Sequence, residues 1–121
     1  MKLGEVARNY ATVIATSKDG MALEKSKSIL LLASSGAENT NMKWNEDRTS
    51  VSNQWGTGPT TINPVSGTVK MAHQNADRVK IFALDGTGKR TMNVELKQTS
   101  AGIEFEIGAK YGTLWYEIAV E

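Results

Sequence analysis

Ile103-Glu104-Phe105-Glu106-Ile107 alternates apolar and charged residues without a break. A strand sends successive side chains to opposite faces, so this run predicts one face in a core and the other in water. The same period recurs in Val94-Glu95-Leu96-Lys97, Val79-Lys80-Ile81 and Val69-Lys70-Met71. Near the end, Leu114, Tyr116, Ile118 and Val120 share one parity, while Trp115, Glu117 and Ala119 share the other. Turn chemistry bounds the runs: Asp19-Gly20, Ser66-Gly67, Asp85-Gly86 with Gly88, Ala101-Gly102 and Tyr111-Gly112. Strands are expected near 10–16, 27–35, 59–63, 67–73, 78–84, 91–98, 102–108 and 113–120. About eight short strands at this spacing predict an all-β protein, an antiparallel β-sandwich of jelly-roll or Greek-key type.

Ser28 to Ser35 is more continuously apolar than the rest and reads as a central strand covered on both faces. Met21 to Ala33 is rich in Leu, Ala, Lys and Glu and admits a helix. Ser26, Ser28, Ser34 and Ser35, with Asp19-Gly20 upstream, favour a hairpin with Thr12–Thr16 instead. Ile81, Val94, Leu96, Ile103, Phe105, Ile107, Tyr116 and Ile118 are expected to form much of the core. Residues 1–121 make one domain, with 1–9 either a remnant of a preceding segment or a first edge strand.

Fourteen Lys and Arg stand against 13 Asp and Glu. A net charge of +1 argues against a nucleic-acid partner, which usually meets a basic excess. Cysteine is absent, which excludes disulfides, Cys-ligated zinc and thiol nucleophiles. The single histidine, His73, excludes a site that needs two imidazoles. The longest apolar run, Ile29 to Ala33, is far short of the roughly 20 residues of a membrane span, so no membrane partner is expected. Leu3-Gly4-Glu5 after Met1-Lys2 opens no apolar signal segment, so the chain reads as cytosolic or as a domain of a longer protein.

Gly36 to Gly58 breaks the rhythm. It is polar and holds Trp44 and Trp55, two of the three tryptophans. A loop of this length in a compact domain is usually functional or disordered, and tryptophans argue against disorder. Sugar rings present flat C–H faces on which aromatic rings stack, while amides and carboxylates take the hydroxyls. Trp44 and Trp55, with Asn45, Asp47 and Gln54 beside them, are therefore the candidate carbohydrate-binding residues. The competing expectation is that each tryptophan plugs the core or covers a sheet edge. Trp115, whose parity turns it outwards beside Glu117, is a third candidate, and Tyr10 and Tyr111 are weaker ones.

Calcium, which wants six to eight oxygen ligands, has candidate donors in Asn39, Asn41, Asn45, Glu46 and Asp47; solvated loop residues are the plainer expectation. No other cofactor is expected. Glu104 and Glu106 share a strand face, the ordinary pattern of a solvent-facing strand, and are not expected to be a catalytic pair. Gly56-Thr57-Gly58 and Gly86-Thr87-Gly88 are too short for a dinucleotide fingerprint, and no Gly-x-Ser-x-Gly elbow occurs.

Residues 9 to 20, Ser28-Ile29-Leu30-Leu31-Leu32-Ala33 and Ala37-Glu38-Asn39-Thr40-Asn41-Met42-Lys43-Trp44-Asn45 resemble a C-terminal β-sandwich accessory domain of bacterial glycoside hydrolases. That domain is similar to carbohydrate-binding modules and follows a (β/α)₈ catalytic barrel. Trp55-Gly56-Thr57-Gly58-Pro59, Asn63-Pro64-Val65-Ser66-Gly67, residues 83–90 and Leu114-Trp115-Tyr116-Glu117-Ile118 follow in the matching order. The resemblance implies a non-catalytic module of a secreted, hence extracellular, polysaccharide-degrading enzyme. Its partners would be a plant-type polysaccharide or oligosaccharide, such as β-glucan, cellulose or xylan, and the catalytic domain of the parent chain. The alternative it implies is a structural domain that packs on the barrel and binds no sugar.

Overall fold

The alternating runs are strands of two antiparallel sheets in the computed structural model, which describes the backbone of residues 1–121 and every side chain but that of Ala7. One sheet has the order β1 (Lys2–Leu3), β6 (Gly67–Ala72), β10 (Gly102–Ile107), β9 (Leu96–Gln98). The other has the order β2 (Thr12–Ser17), β3 (Ser28–Ser34), β11 (Trp115–Val120), β7 (Val79–Leu84), β8 (Arg90–Val94). Two further strands, β4 (Ala37–Thr40) and β5 (Thr57–Ile62), pair only with each other and form a ribbon. Beyond β5 the chain alternates hairpins, β7–β8 and β9–β10, with crossings from sheet to sheet. The protein is an antiparallel β-sandwich. Short 3₁₀ turns occur at Ala7–Asn9, Ala76–Arg78 and Ala109–Tyr111, and among the described residues no helix is long and apolar enough to cross a membrane.

Met21 to Ala33 is not a helix. Its second half is β3, paired with β2 from Thr12↔Ser34 to Ser17↔Ile29. Asp19 organises the intervening loop: its carboxylate accepts from the Ser26 hydroxyl at 2.8 Å, the Lys27 N–H at 2.7 Å and the Met21 N–H at 3.2 Å. These bonds, the Ser26 hydroxyl foremost, hold the Asp19 carboxyl below its ordinary range. His73 fastens the loop to the end of β6. Its Nε2 donates to the Ser26 carbonyl at 2.9 Å and its Nδ1 accepts from the Asn75 N–H at 3.1 Å.

The core lies between the sheets. Ile29, Leu31 and Ala33 of β3, Ile81 and Ala83 of β7, and Tyr116 and Ile118 of β11 meet Val69, Ile103, Phe105 and Ile107 from the opposite sheet. Seven of the eight expected core residues are buried; Leu96 is half-buried against them. Tyr111 is a core residue and no stacking platform. Its ring meets Tyr116 edge-on at 5.9 Å. The buried Tyr116 hydroxyl accepts the Gly108 N–H at 3.4 Å, and burial pushes the phenol pKa up.

Three expectations need correction. The run at 91–98 is two strands. Val94 pairs with Ile81 in the five-stranded sheet and Leu96 with Phe105 in the four-stranded one, so the chain changes sheets at Glu95. Gly36 to Gly58 is not all loop, because its ends are β4 and the start of β5. Finally, β3 is covered on one face only. Leu30 and Leu32 on its other face are half-buried by neighbours within their own sheet.

The two outer faces differ. On the four-stranded sheet, Lys70 and Lys97 flank Glu104 across the strands, with the Lys70–Glu104 pair at 3.9 Å. That face is charged, as the alternation requires. On the five-stranded sheet, Ile14, Leu32, Trp115 and Leu84 stand directly opposite one another, an apolar row across four strands. Beside it, Glu117 accepts from Arg90 at 2.7 Å, and the Arg90 guanidinium lies 3.9 Å from the centre of the Phe82 ring.

Candidate functional site

The ribbon carries five of the six candidate residues, and its exposure explains why it has no hydrophobic period. Every residue of β5 is exposed, and β4 has no buried residue. Hydrogen bonds replace core packing. Thr61 Oγ1 donates to the Glu38 carbonyl, Thr40 Oγ1 to the Pro59 carbonyl at 2.8 Å, and Thr60 Oγ1 to Asn39 Oδ1 at 2.8 Å. Between the strands, residues 41–56 form nested turns closed by Lys43 N–H to the Gln54 carbonyl and Asn45 N–H to the Ser50 carbonyl. Gly56 has a φ of 74°, and a Cβ there would stand 2.2 Å from the Thr40 carbonyl oxygen, so only glycine fits where the loop closes back on β4.

The two ribbon tryptophans differ. Trp44 is half-buried, donates its indole N–H to Glu38 Oε1 at 3.1 Å, and has the Arg48 guanidinium 4.9 Å from its ring centre. One face and the polar edge of this indole are thus engaged by the protein. Trp55 is 65% exposed; its backbone carbonyl accepts from Asn39 Nδ2 at 3.1 Å, and its side chain makes no hydrogen bond among the described residues.

The polar candidates divide in the same way. Asn45 builds the loop: its Oδ1 accepts from the Thr49 N–H at 2.8 Å and the Ser50 N–H at 3.3 Å, and its Nδ2 donates to Thr49 Oγ1. Asp47 and Gln54 are exposed and make no side-chain hydrogen bond among the described residues. Trp115 stands apart on the outer face of the five-stranded sheet. It points away from the core, as its parity requires, and is half-buried between Leu32 and Leu84. Tyr10, 60% exposed, lies at the root of the ribbon, where its carbonyl accepts the Ser35 hydroxyl at 2.6 Å.

Two of the donors considered for calcium are engaged elsewhere. Asn39 and Asn45 bond within the ribbon, and no three His, Cys, Asp or Glu side chains come together among the described residues.

One feature lies outside the expected set. Glu38 Oε1 accepts from Arg8, from Arg48 Nη2 at 2.7 Å and from Trp44 Nε1. The Arg8 guanidinium beside it, joined by Arg48, holds the Glu38 carboxyl below the usual carboxylate range. Arg8 comes from the 7–9 turn, Arg48 and Trp44 from the loop, and Glu38 from β4, so no local spacing signals the cluster. Comparison with protein-family models, curated proteins and solved structures finds no match to this chain, so its function is read from its own surface.

Proposed function

We propose that this domain is a non-catalytic carbohydrate-binding module in which Trp55 is the stacking platform. One observation carries the reading: an indole 65% exposed at the end of a ribbon fixed by its own hydrogen bonds. Exposed there, Trp55 contributes little to the core, and its flat face suits the C–H face of a pyranose. Gln54 beside it in sequence and Asp47 on the same loop have side-chain donors and acceptors free for hydroxyls. Trp44 and Asn45 serve this site indirectly, by holding the loop. The module's work is to keep a polymeric glycan near a catalytic domain of a secreted enzyme, which raises effective concentration and requires no chemistry here.

A second reading is favoured by the row Ile14, Leu32, Trp115 and Leu84. An outer sheet face with four apolar residues in line suits packing against another domain, and the module is then structural. Retention of the chain by cellulose, xylan or mixed-linkage glucan decides between the two. Retention that is lost in Trp55→Ala supports the sugar platform. Failure of every glycan to retain the wild-type chain overturns it and leaves the docking reading.

A further inference from the structure

We propose that Arg8 and Arg48, seated on Glu38 at the root of the ribbon, form an anion-binding site for the carboxylate or sulfate group of an acidic saccharide. The proposal rests on the glycan-binding reading and specifies the ligand's charge. Two guanidinium groups meet one carboxylate, so the cluster carries a net charge of +1. Each guanidinium offers five N–H donors in a planar fork. One from each goes to Glu38 Oε1, and the others have no protein partner among the described residues. The arginine side chains are 44% and 42% exposed, so an incoming anion can reach them. A carboxylate or sulfate matches such forks with paired, charge-assisted hydrogen bonds.

The arrangement is fixed before any ligand arrives. Trp44 lies under the Arg48 guanidinium and shares Glu38 with it, so the fork is oriented by stacking as well as by charge. Trp44 is in this sense a positioning residue. Arg8 and Arg48 both have left-handed backbone, with φ of 58° and 54°, a conformation that side-chain-bearing residues seldom adopt. Both arginines reach the same carboxylate oxygen.

The test compares three polymers of similar chain length: polygalacturonate (carboxylate), dextran sulfate (sulfate) and neutral dextran. Affinity is measured by electrophoretic retardation at physiological ionic strength. The expected result is that at least one anionic polymer retards the chain and dextran does not. Arg8→Gln and Arg48→Gln are each expected to weaken that retardation at least fivefold. Lys70→Gln, the same charge change on the outer face of the four-stranded sheet, is expected to leave it within twofold. Should a glutamine variant lose the ribbon, seen as a changed near-ultraviolet circular dichroism spectrum, Arg8→Lys with Arg48→Lys replaces it. That variant keeps the charges and loses the forks, and it too is expected to weaken binding. Equal effects of all the charge-removing variants show diffuse attraction and overturn the site. Binding of a neutral glucan that is indifferent to Arg8 and Arg48, with no anionic polymer bound, overturns the anion site and preserves the glycan reading. Binding of none of these polymers, nor of cellulose, xylan or mixed-linkage glucan, overturns both.

Discussion

Trp44 and Glu38 are joined by a hydrogen bond from indole Nε1 to carboxylate Oε1 at 3.1 Å, and this bond separates two tryptophans that stand only a loop apart. Trp44 holds the ribbon together, whereas Trp55 projects from it. Trp44→Ala is therefore expected to destabilise the chain by about 1–3 kcal/mol, less than the full cost of a buried aromatic because the ring is half-exposed. Urea denaturation followed by far-ultraviolet circular dichroism measures it. A loss below about 0.5 kcal/mol, the usual range of surface substitutions, would mean that the bond and the stacking do not hold the ribbon.

Phe105 and Tyr116 test the core. Phe105 is 2% exposed and Tyr116 is fully buried. Phe105→Ala is expected to cost roughly 3–5 kcal/mol, from lost transfer energy and the cavity left behind. Tyr116→Phe keeps the ring and removes the acceptor of the Gly108 N–H. It is expected to cost about 1–2 kcal/mol, because a buried donor is left without a partner. Denaturant midpoints at unchanged slope give both values. A Tyr116→Phe chain as stable as the wild type would show that water replaces the hydroxyl at Gly108.

The strands that were legible are those with one wet and one dry face. Ile103, Phe105 and Ile107 are buried and Glu106 is exposed, so hydrophobic parity records the sheet directly. The ribbon was illegible for the same reason: neither face of β5 is buried, so Thr57–Ile62 carries no period, and β4 was hidden inside the polar stretch. At Glu95 parity misled, because Val94 and Leu96 both point inwards but from opposite sheets. The apolar run of β3 predicts two covered faces, whereas its second face belongs to the outer row through Leu32. In the candidate site, composition placed both tryptophans in the ribbon. It had no means of telling which one is fastened, since Glu38 of β4 and Arg48 of the loop hold Trp44 through contacts that leave no period in the sequence.

Asp19 gives the chain a definite acid response. Its folded-state pKa is lowered, first by the Ser26 hydroxyl and then by the Lys27 N–H. A carboxyl depressed on folding contributes stability that is present above its unfolded pKa of about 3.9 and is lost as pH falls through the folded value. The thermal midpoint of the wild type is expected to exceed that of Asp19→Asn at pH 7, with the gap closing below about pH 4 as the unfolded-state carboxyl protonates. A gap that persists unchanged to pH 2 would mean that the carboxylate's charge is not what stabilises the hairpin loop.

Trp44, Trp55 and Trp115 together separate sugar binding from packing, because each sits in a different environment. Trp55→Ala removes a ring that touches little of the protein. It is expected to leave the thermal midpoint nearly unchanged and to weaken glycan affinity by about 1–3 kcal/mol, the range for a base stacked on an aromatic ring. Trp115→Ala removes the centre of the row formed with Ile14, Leu32 and Leu84. Its expected effect is on stability, by about 1–2 kcal/mol for a half-buried ring, with glycan retention intact. Trp44→Ala is expected to lower both, since the loop that presents Trp55 loosens when Glu38 and Arg48 lose their shared partner. Thermal midpoints and glycan retention of the three variants are measured side by side. If Trp55→Ala keeps full retention while Trp115→Ala loses it at an unchanged midpoint, the sugar lies on the sheet face and the platform is Trp115. If Trp55→Ala lowers the midpoint as far as Trp44→Ala does, its ring is part of the fold's own packing and the ribbon presents no platform.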